Sequence, residues 1–237
     1  MHKVTELAVA GIHPGWKTLL NTPANETESL MDILDRTIVS VINKGGTLCP
    51  DTPDKILRCL RLNPDLIKVV ICSQDPYPQP GVATGLSFAV KYGEKRQPSL
   101  NMLVRELQIE YPDCDTELFD STLTQWEEQG VLLLNSSLSC EAFKSGSHSK
   151  LWEDFMAGLI KVLNDFKITR KEMTSLVFVF LGAQAQLYSN LVNEKLHYKL
   201  SRYHPAAESH GSNKFTGFYQ EVNAYLLESG QEQINWI

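Results

Sequence analysis

The chain has 237 residues, enough for one sizeable apolar core. Its 43% hydrophobic and 21% charged content is that of an ordinary globular protein, and no apolar run approaches the ~18 residues that span a bilayer. A net charge of −6 argues against a broad, sequence-independent grip on nucleic acid, while leaving room for a focused clamp on a few phosphates through backbone N–H groups and hydroxyls. The start, Met1 to Glu6, has no basic-then-apolar secretory pattern. An intracellular, cytoplasmic protein is expected, with the nucleus as an alternative, and no membrane association. Cys49, Cys59, Cys72, Cys114 and Cys140 are odd in number and contain no C-x-x-C pair, so they are expected to be small core residues rather than a disulfide framework.

No internal repeat or Ser/Gly-rich linker divides the chain, so a single domain spanning residues 1–237 is expected, with residues 1–26 as an irregular lead-in. Leu30, Ile33, Leu34, Ile38, Val41 and Ile42 fall at helical spacing within Glu28 to Ile42. Thr52-Pro53 reads as a helix start, cap then first position, for a helix running toward Leu62. Ile67 to Ser73 is a β-branched run that predicts a buried strand. Pro98-Ser99-Leu100 opens a helix through Ile109, and Val131 to Asn135 predicts a second strand. Leu151 to Phe166 is amphipathic. Leu176 to Gly182 is a third strand, apolar on both faces. Gln184 to Asn193 reads as a helix, His197 to Tyr203 as a weaker fourth strand, and Phe215 to Glu228 as the last helix.

Continuous apolar strands alternating with amphipathic helices predict an α/β fold: a short central parallel sheet with helices on both faces. Such sheets bind ligands at the carboxyl ends of their strands. Asp75, Asn135 and His204 all stand at such ends. Each has a plain alternative: Asp75 before Pro76 can cap a turn, Asn135 can satisfy local backbone, and His204-Pro205 is a common loop dipeptide. Phe88 is by default a core residue. His197 and His204 are isolated, with no histidine pair at helical spacing beside an acid, so no metal site is expected. The convergence of three polar groups from distant segments is what argues for a site.

The segments carrying these groups resemble, in order, those of family 1 uracil-DNA glycosylases. Ser73-Gln74-Asp75-Pro76-Tyr77 is similar to the family's water-activating motif, which usually begins with Gly and ends with His. Pro98-Ser99-Leu100 resembles its proline-rich phosphate loop, and Leu132-Leu133-Leu134-Asn135 its uracil-reading strand. Gly146-Ser147-His148 with Trp152 resembles the segment leading into the next helix. Gly182-Ala183-Gln184 is similar to its Gly-Ser loop, and His204-Pro205-Ala206 to its minor-groove loop. The tail through Ile234-Asn235-Trp236 matches as well, so the resemblance covers roughly residues 14–237.

The resemblance implies hydrolysis of the N-glycosidic bond of a deoxyuridine flipped out of DNA. Asp75 and His204 are the implied catalytic residues. Asp75 stabilises positive charge on the sugar and orients water, and His204 hydrogen-bonds uracil O2 as negative charge builds. Asn135 offers an acceptor to N3–H and a donor to O4; cytosine would mispair with it at a cost of ~1–3 kcal/mol per group. Phe88 offers a stacking face, Tyr77 blocks the thymine methyl, and Gln74 helps fix O2. DNA contacts are expected from Pro98, Ser99, Gly182, Ala183, Pro205, Ala206 and Glu208. No metal or organic cofactor is required by this scheme.

The sequence departs from the family at Pro78, where the motif usually has a phosphate-contacting His, and at Ala183, where the loop usually has Ser. At Glu208 the family usually places a Leu that fills the space left by the flipped base. An acid there faces desolvation and phosphate repulsion, so uracil-containing DNA is the expected partner with single strands preferred. Poxvirus-type members share this Asp-Pro-Tyr-Pro and His-Pro-Ala-Ala character and act as replication accessories. Inhibitor proteins or replication factors are therefore further candidate partners of an expected monomer. The alternatives are a catalytically vestigial scaffold of the same fold, a mismatch-type glycosylase (disfavoured by Asp75 and Tyr77), and an unrelated α/β hydrolase, for which no nucleophile-elbow or phosphate-loop motif is present.

Overall fold

A computed structural model of the chain describes residues 1–169, 175–206 and 216–237. The first 26 residues, expected to be irregular, instead carry two helices, α1 (Lys3–Val9) and α2 (Pro14–Leu20). His2 and His13 cap them, each ring Nδ1 accepting a backbone N–H two residues on. Two turns are too few to show a periodic stripe in sequence, and burial holds such short helices. Trp16 is fully buried and donates its indole N–H to the Leu62 carbonyl at 2.8 Å.

Helix α3 (Leu30–Lys44) follows the expected pattern and starts at a reciprocal capping box between Ser29 and Asp32. Next come β1 (Leu48–Cys49) and α4 (Pro53–Ile56). The single helix expected to reach Leu62 breaks after α4, and a 3-10 turn takes over at Arg58–Arg61. The tighter turn buries Leu57, Cys59 and Leu60 while the Arg58 guanidinium grips both carboxylate oxygens of Glu127 at 2.5 and 2.6 Å.

The remaining elements are β2 (Val69–Ser73), α5 (Pro98–Glu110), α6 (Thr124–Glu128), β3 (Val131–Asn135), β4 (Cys140–Glu141), α7 (Ser149–Thr169), β5 (Val177–Leu181), α8 (Ala183–Gln186), β6 (Tyr198–Arg202) and α9 (Phe218–Glu228). The helix expected over Gln184 to Asn193 reduces to α8 and a 3-10 turn at Ser189–Leu191. Ala185 and Tyr188 reach the core there, while Leu187 points to solvent. The short β1–β4 antiparallel pair and α6 carry no signal long enough to read from sequence.

Strands β2, β3, β5 and β6 form one parallel sheet in the order β3-β2-β5-β6. Every residue of β2, β3 and β5 is buried, which requires cover on both faces, whereas β6 at the edge is mixed. Gly158 on α7 is one condition of that cover, since a Cβ there would meet Leu30 Cδ1 at 2.6 Å. A contiguous apolar core runs from Ala8 to Trp236, including Cys59 and Cys72. All five cysteines are free, four of them buried. The register pairs Ser73 with Asn135, Cys72 with Phe180, and Leu181 with Arg202. The carboxyl ends of all four strands therefore lie along one edge, where Gln74, Ser136, Gly182 and Tyr203 come next.

Candidate active site

The floor of the site is the junction of β2 and β3. Beyond the ladder, the Ser73 carbonyl accepts the Ser136 N–H at 2.8 Å. The Gln74 carbonyl accepts the Ser137 N–H at 3.0 Å and the Ser136 hydroxyl at 2.7 Å. These bonds extend the pairing past the strand ends and set Asn135 at the rim. Asn135 is 4% exposed, and its carboxamide has no hydrogen bond among the described residues. A buried amide in that condition is suited to a polar ligand.

Asp75 sits one residue past this junction. Its Oδ2 accepts the Gly146 N–H at 2.6 Å and its Oδ1 the Ser145 hydroxyl at 3.1 Å. The Gln74 side chain donates to the same Ser145 oxygen at 3.4 Å. Burial pushes the Asp75 carboxyl above its ordinary value of 3.8, while the two donors hold it down.

Tyr77 forms the opposite wall. Its hydroxyl donates to the Phe88 carbonyl at 2.7 Å, which spends its one proton, so Ser99 Oγ at 3.1 Å must be the donor to Tyr77. Burial raises the phenol to about 12, so it stays protonated. Phe88 is buried at a left-handed φ of 65°, a conformation a non-glycine residue keeps only when its surroundings impose it. The bond from Tyr77 is part of that imposition, and the Phe88 ring lies 5.8 Å from the His204 ring, centroid to centroid.

His204 follows β6. Its Nδ1 accepts the Ala206 N–H at 3.2 Å, so a neutral ring carries its proton on Nε2, 3.2 Å from Ser73 Oγ. Burial lowers the imidazole from 6.5 to about 4, so the ring is neutral at neutral pH. Gly182 makes room for it. At φ 94° it has a conformation disfavoured for L side chains, and a Cβ would lie 2.9 Å from His204 Cβ.

Ser73, Asn135, His204, Phe88, Tyr77, Ser99 and Gly182 are thus joined through direct contacts or strand register, with Gln74 and Asp75 adjoining. The Ser99 hydroxyl is committed to Tyr77, and the Gly182 N–H to the Arg202 carbonyl at 2.9 Å, so Gly182 serves the site by admitting His204. Pro98, Ala183 and Ala206 are exposed beside the site and Pro205 is buried. Glu208 lies outside the described residues. Ser145 and Gly146, which hold Asp75, and Ser136, which ties down Gln74, were not legible as site residues. Their roles come from backbone geometry, and the only signal was the Gly146-Ser147-His148 resemblance. Among the described residues no group of histidine, cysteine or acidic side chains is arranged to hold a metal ion.

Comparison with known proteins identifies the family. The family model of the uracil DNA glycosylase superfamily matches residues 61–227. The uracil-DNA glycosylase of Chromobacterium violaceum is 35% identical over 232 residues, covering 97% of this chain and 93% of its own. That of Campylobacter fetus is 33% identical over 239 residues, covering 98% and 95%. The crystal structure of mimivirus uracil-DNA glycosylase superposes with a TM-score of 0.74 at 25% identity, covering 100% of this chain and 99% of that one. Its Y322L variant, solved in complex with UGI, gives 0.79 at 25% identity over 99% and 91%. On the matched family model, the bacterial relatives and the strand-end site together, the chain belongs to the uracil-DNA glycosylase superfamily.

Proposed function

We propose that this chain is an active uracil-DNA glycosylase, a monofunctional N-glycosyl hydrolase of base excision repair, with Asp75 and His204 as its catalytic residues. The observation that carries the reading is the pairing of a carboxylate held by two donors with an imidazole held neutral, at the ends of parallel strands beside the Asn135 amide, which has no hydrogen bond among the described residues. Uracil extruded from DNA stacks on Phe88 and is read by Asn135 through N3–H and O4. Tyr77 blocks the position of a thymine methyl. As the C1′–N1 bond breaks, its electron pair leaves with the base, and the charge on O2 is met by the His204 Nε2–H and by Gln74 through its backbone. Asp75 stabilises the cationic sugar and takes a proton from the attacking water, whose oxygen becomes the C1′ hydroxyl. Asp75 passes that proton on to solvent, and the departing uracil anion takes one up at N1 from solvent, so that neutral uracil is released. The flanking strand is contacted at the start of α5 by Pro98 and Ser99, the latter through its amide, at Ala183, and around Pro205 and Ala206.

Single strands are the preferred substrate, because Glu208 stands where the family usually has its wedging Leu. Inhibitor proteins or replication factors are candidate partners of a monomer. An intracellular location follows from the DNA substrate; no helix among the described residues is long and apolar enough to cross a membrane. The test is incubation with a uracil-containing oligonucleotide in chelator, followed by alkali. Cleavage at uracil and not at mismatched thymine is expected, faster on single strands, with Glu208→Leu raising duplex activity. A second reading, a vestigial scaffold, is favoured by Pro78, Ala183 and Glu208. It is opposed by the intact Asp75, Tyr77, Phe88, Asn135 and His204 set, and DNA binding without uracil release would establish it.

A further inference from the structure

We infer that Ser73 is a positioning residue for His204: its Oγ accepts the Nε2–H that the reaction later turns on uracil O2, fixing the rotation of the imidazole before substrate arrives. The role rests on the glycosylase reading above, but the hydrogen bond does not. Because Nδ1 accepts from Ala206, it carries no proton in the neutral ring, and the 3.2 Å contact between Nε2 and Ser73 Oγ can only run from ring to hydroxyl. Ser73 Oγ has no other partner among the described residues.

The two ends of this bond differ in how they are anchored. Ser73 is the last residue of β2 and 2% exposed, with its register set against Asn135 and its carbonyl bonded to Ser136. Its single rotatable side-chain bond leaves Oγ few places to go. His204 is on a loop beyond the edge strand, and its ring lies near the Phe88 ring and the bare Gly182. Ring contacts limit tilt but do not choose which edge faces the base. A hydroxyl fixed to the central strand does. Glycine, which usually begins this motif in the resembling family, has no atom with which to make the bond, so here the sheet supplies a restraint that must otherwise come from elsewhere. The bond is long for N–H···O, so a better acceptor such as a uracil oxygen gaining negative charge displaces it readily.

The test reads the ring and the reaction separately. In substrate-free wild-type protein, nitrogen-edited NMR of the imidazoles should show His204 as the Nε2–H tautomer with an N–H proton protected from solvent exchange. Ser73→Ala and Ser73→Gly should speed that exchange at least tenfold. They should also lower the single-turnover rate at saturating uracil DNA about three- to tenfold with little change in KM, while Ser73→Thr, which keeps the hydroxyl, restores both. An Nδ1–H tautomer in the wild type overturns the proposal, and so does Ser73→Ala with unchanged rate and protection. If Ser73→Ala does not fold, the wild-type tautomer and the Ser73→Thr protein still decide. A wild type that releases no uracil overturns the positioning role through the functional reading, and is recognised as that failure because the NMR signal is read without substrate.

Discussion

Asp75 and His204 are both drawn partly out of water, yet the protein treats the two groups differently. Around Asp75 the loop between β4 and α7 turns two donors inward, the Gly146 N–H and the Ser145 hydroxyl, which oppose the rise that burial imposes. Around His204 one backbone N–H occupies Nδ1 and burial does the rest, leaving the ring neutral down to about pH 4. Burial works against the charged form of both groups, but at Asp75 two donors limit the effect, whereas at His204 nothing does. Reactions that develop positive charge on a sugar and negative charge on a leaving base need that division, a fixed anion beside a neutral donor. The ordinary values of carboxyl and imidazole set the starting points, burial moves both toward the neutral form, and the donors aimed at Asp75 limit its rise.

The largest effect should come from removing the charged partner. Asp75→Asn keeps the shape and the reach toward Gly146 but loses the carboxylate, and the single-turnover rate should fall about 10³-fold with the fold intact. His204→Ala should lose about 10²-fold, because a neutral donor stabilises the leaving base less than the anion stabilises the sugar. A near-native rate in either variant would remove that residue from the mechanism. Gly182→Ala strikes the His204 half without touching its chemistry. The added Cβ has to displace a backbone-anchored neighbour, so the rate should drop roughly tenfold with a stability loss of about 1–2 kcal/mol by thermal melting. Unchanged activity would show that the ring tolerates displacement.

Smaller effects sharpen the same contrast. Tyr77→Ala opens the wall at uracil C5 and should release thymine slowly from ordinary DNA, scored as new alkali-labile sites at thymine. It also frees the Phe88 carbonyl and the Ser99 hydroxyl, so some loss on uracil is expected too. In the pH profile, the proposed mechanism needs Asp75 ionised and His204 neutral. The acid limb should therefore lie above 3.8, the ordinary carboxyl value that burial raises, with no inflection near the ordinary 6.5 of histidine. Stability carries the matching sign. Between 6.5 and about 4 the unfolded His204 binds a proton that the folded one refuses, so folding stability falls as pH falls through that window. His204→Gln should flatten that slope in denaturant titrations; a slope unchanged by the substitution would assign it to other groups.

The apolar pentads and the helical stripe of α3 were readable because period and β-branching report burial directly, and the order of motifs carried the family resemblance. The placement of Asp75, Asn135 and His204 was legible for the same reason: Asn135 ends a readable strand, and Asp75 and His204 each follow one by two residues. The helices α1 and α2, the break after α4 and the brevity of α8 were not. Elements of four to seven residues draw their stability from contacts with distant segments, and those contacts leave no local period.

The amino-acid order by itself determined the parallel sheet, the edge on which chemistry would be placed, and the family. Only the tertiary structure decided which groups reach which side chain: Gly146 and Ser145 donating to Asp75, Ala206 donating to the His204 Nδ1 while Ser73 accepts from its Nε2, Ser99 donating to Tyr77, and the bare Gly182 beside the imidazole. The physical reason is range. Hydrophobic patterning is a property of neighbouring residues in the chain, whereas a hydrogen bond of this site depends on a few tenths of an ångström between groups as much as 131 positions apart, as Ser73 and His204 are.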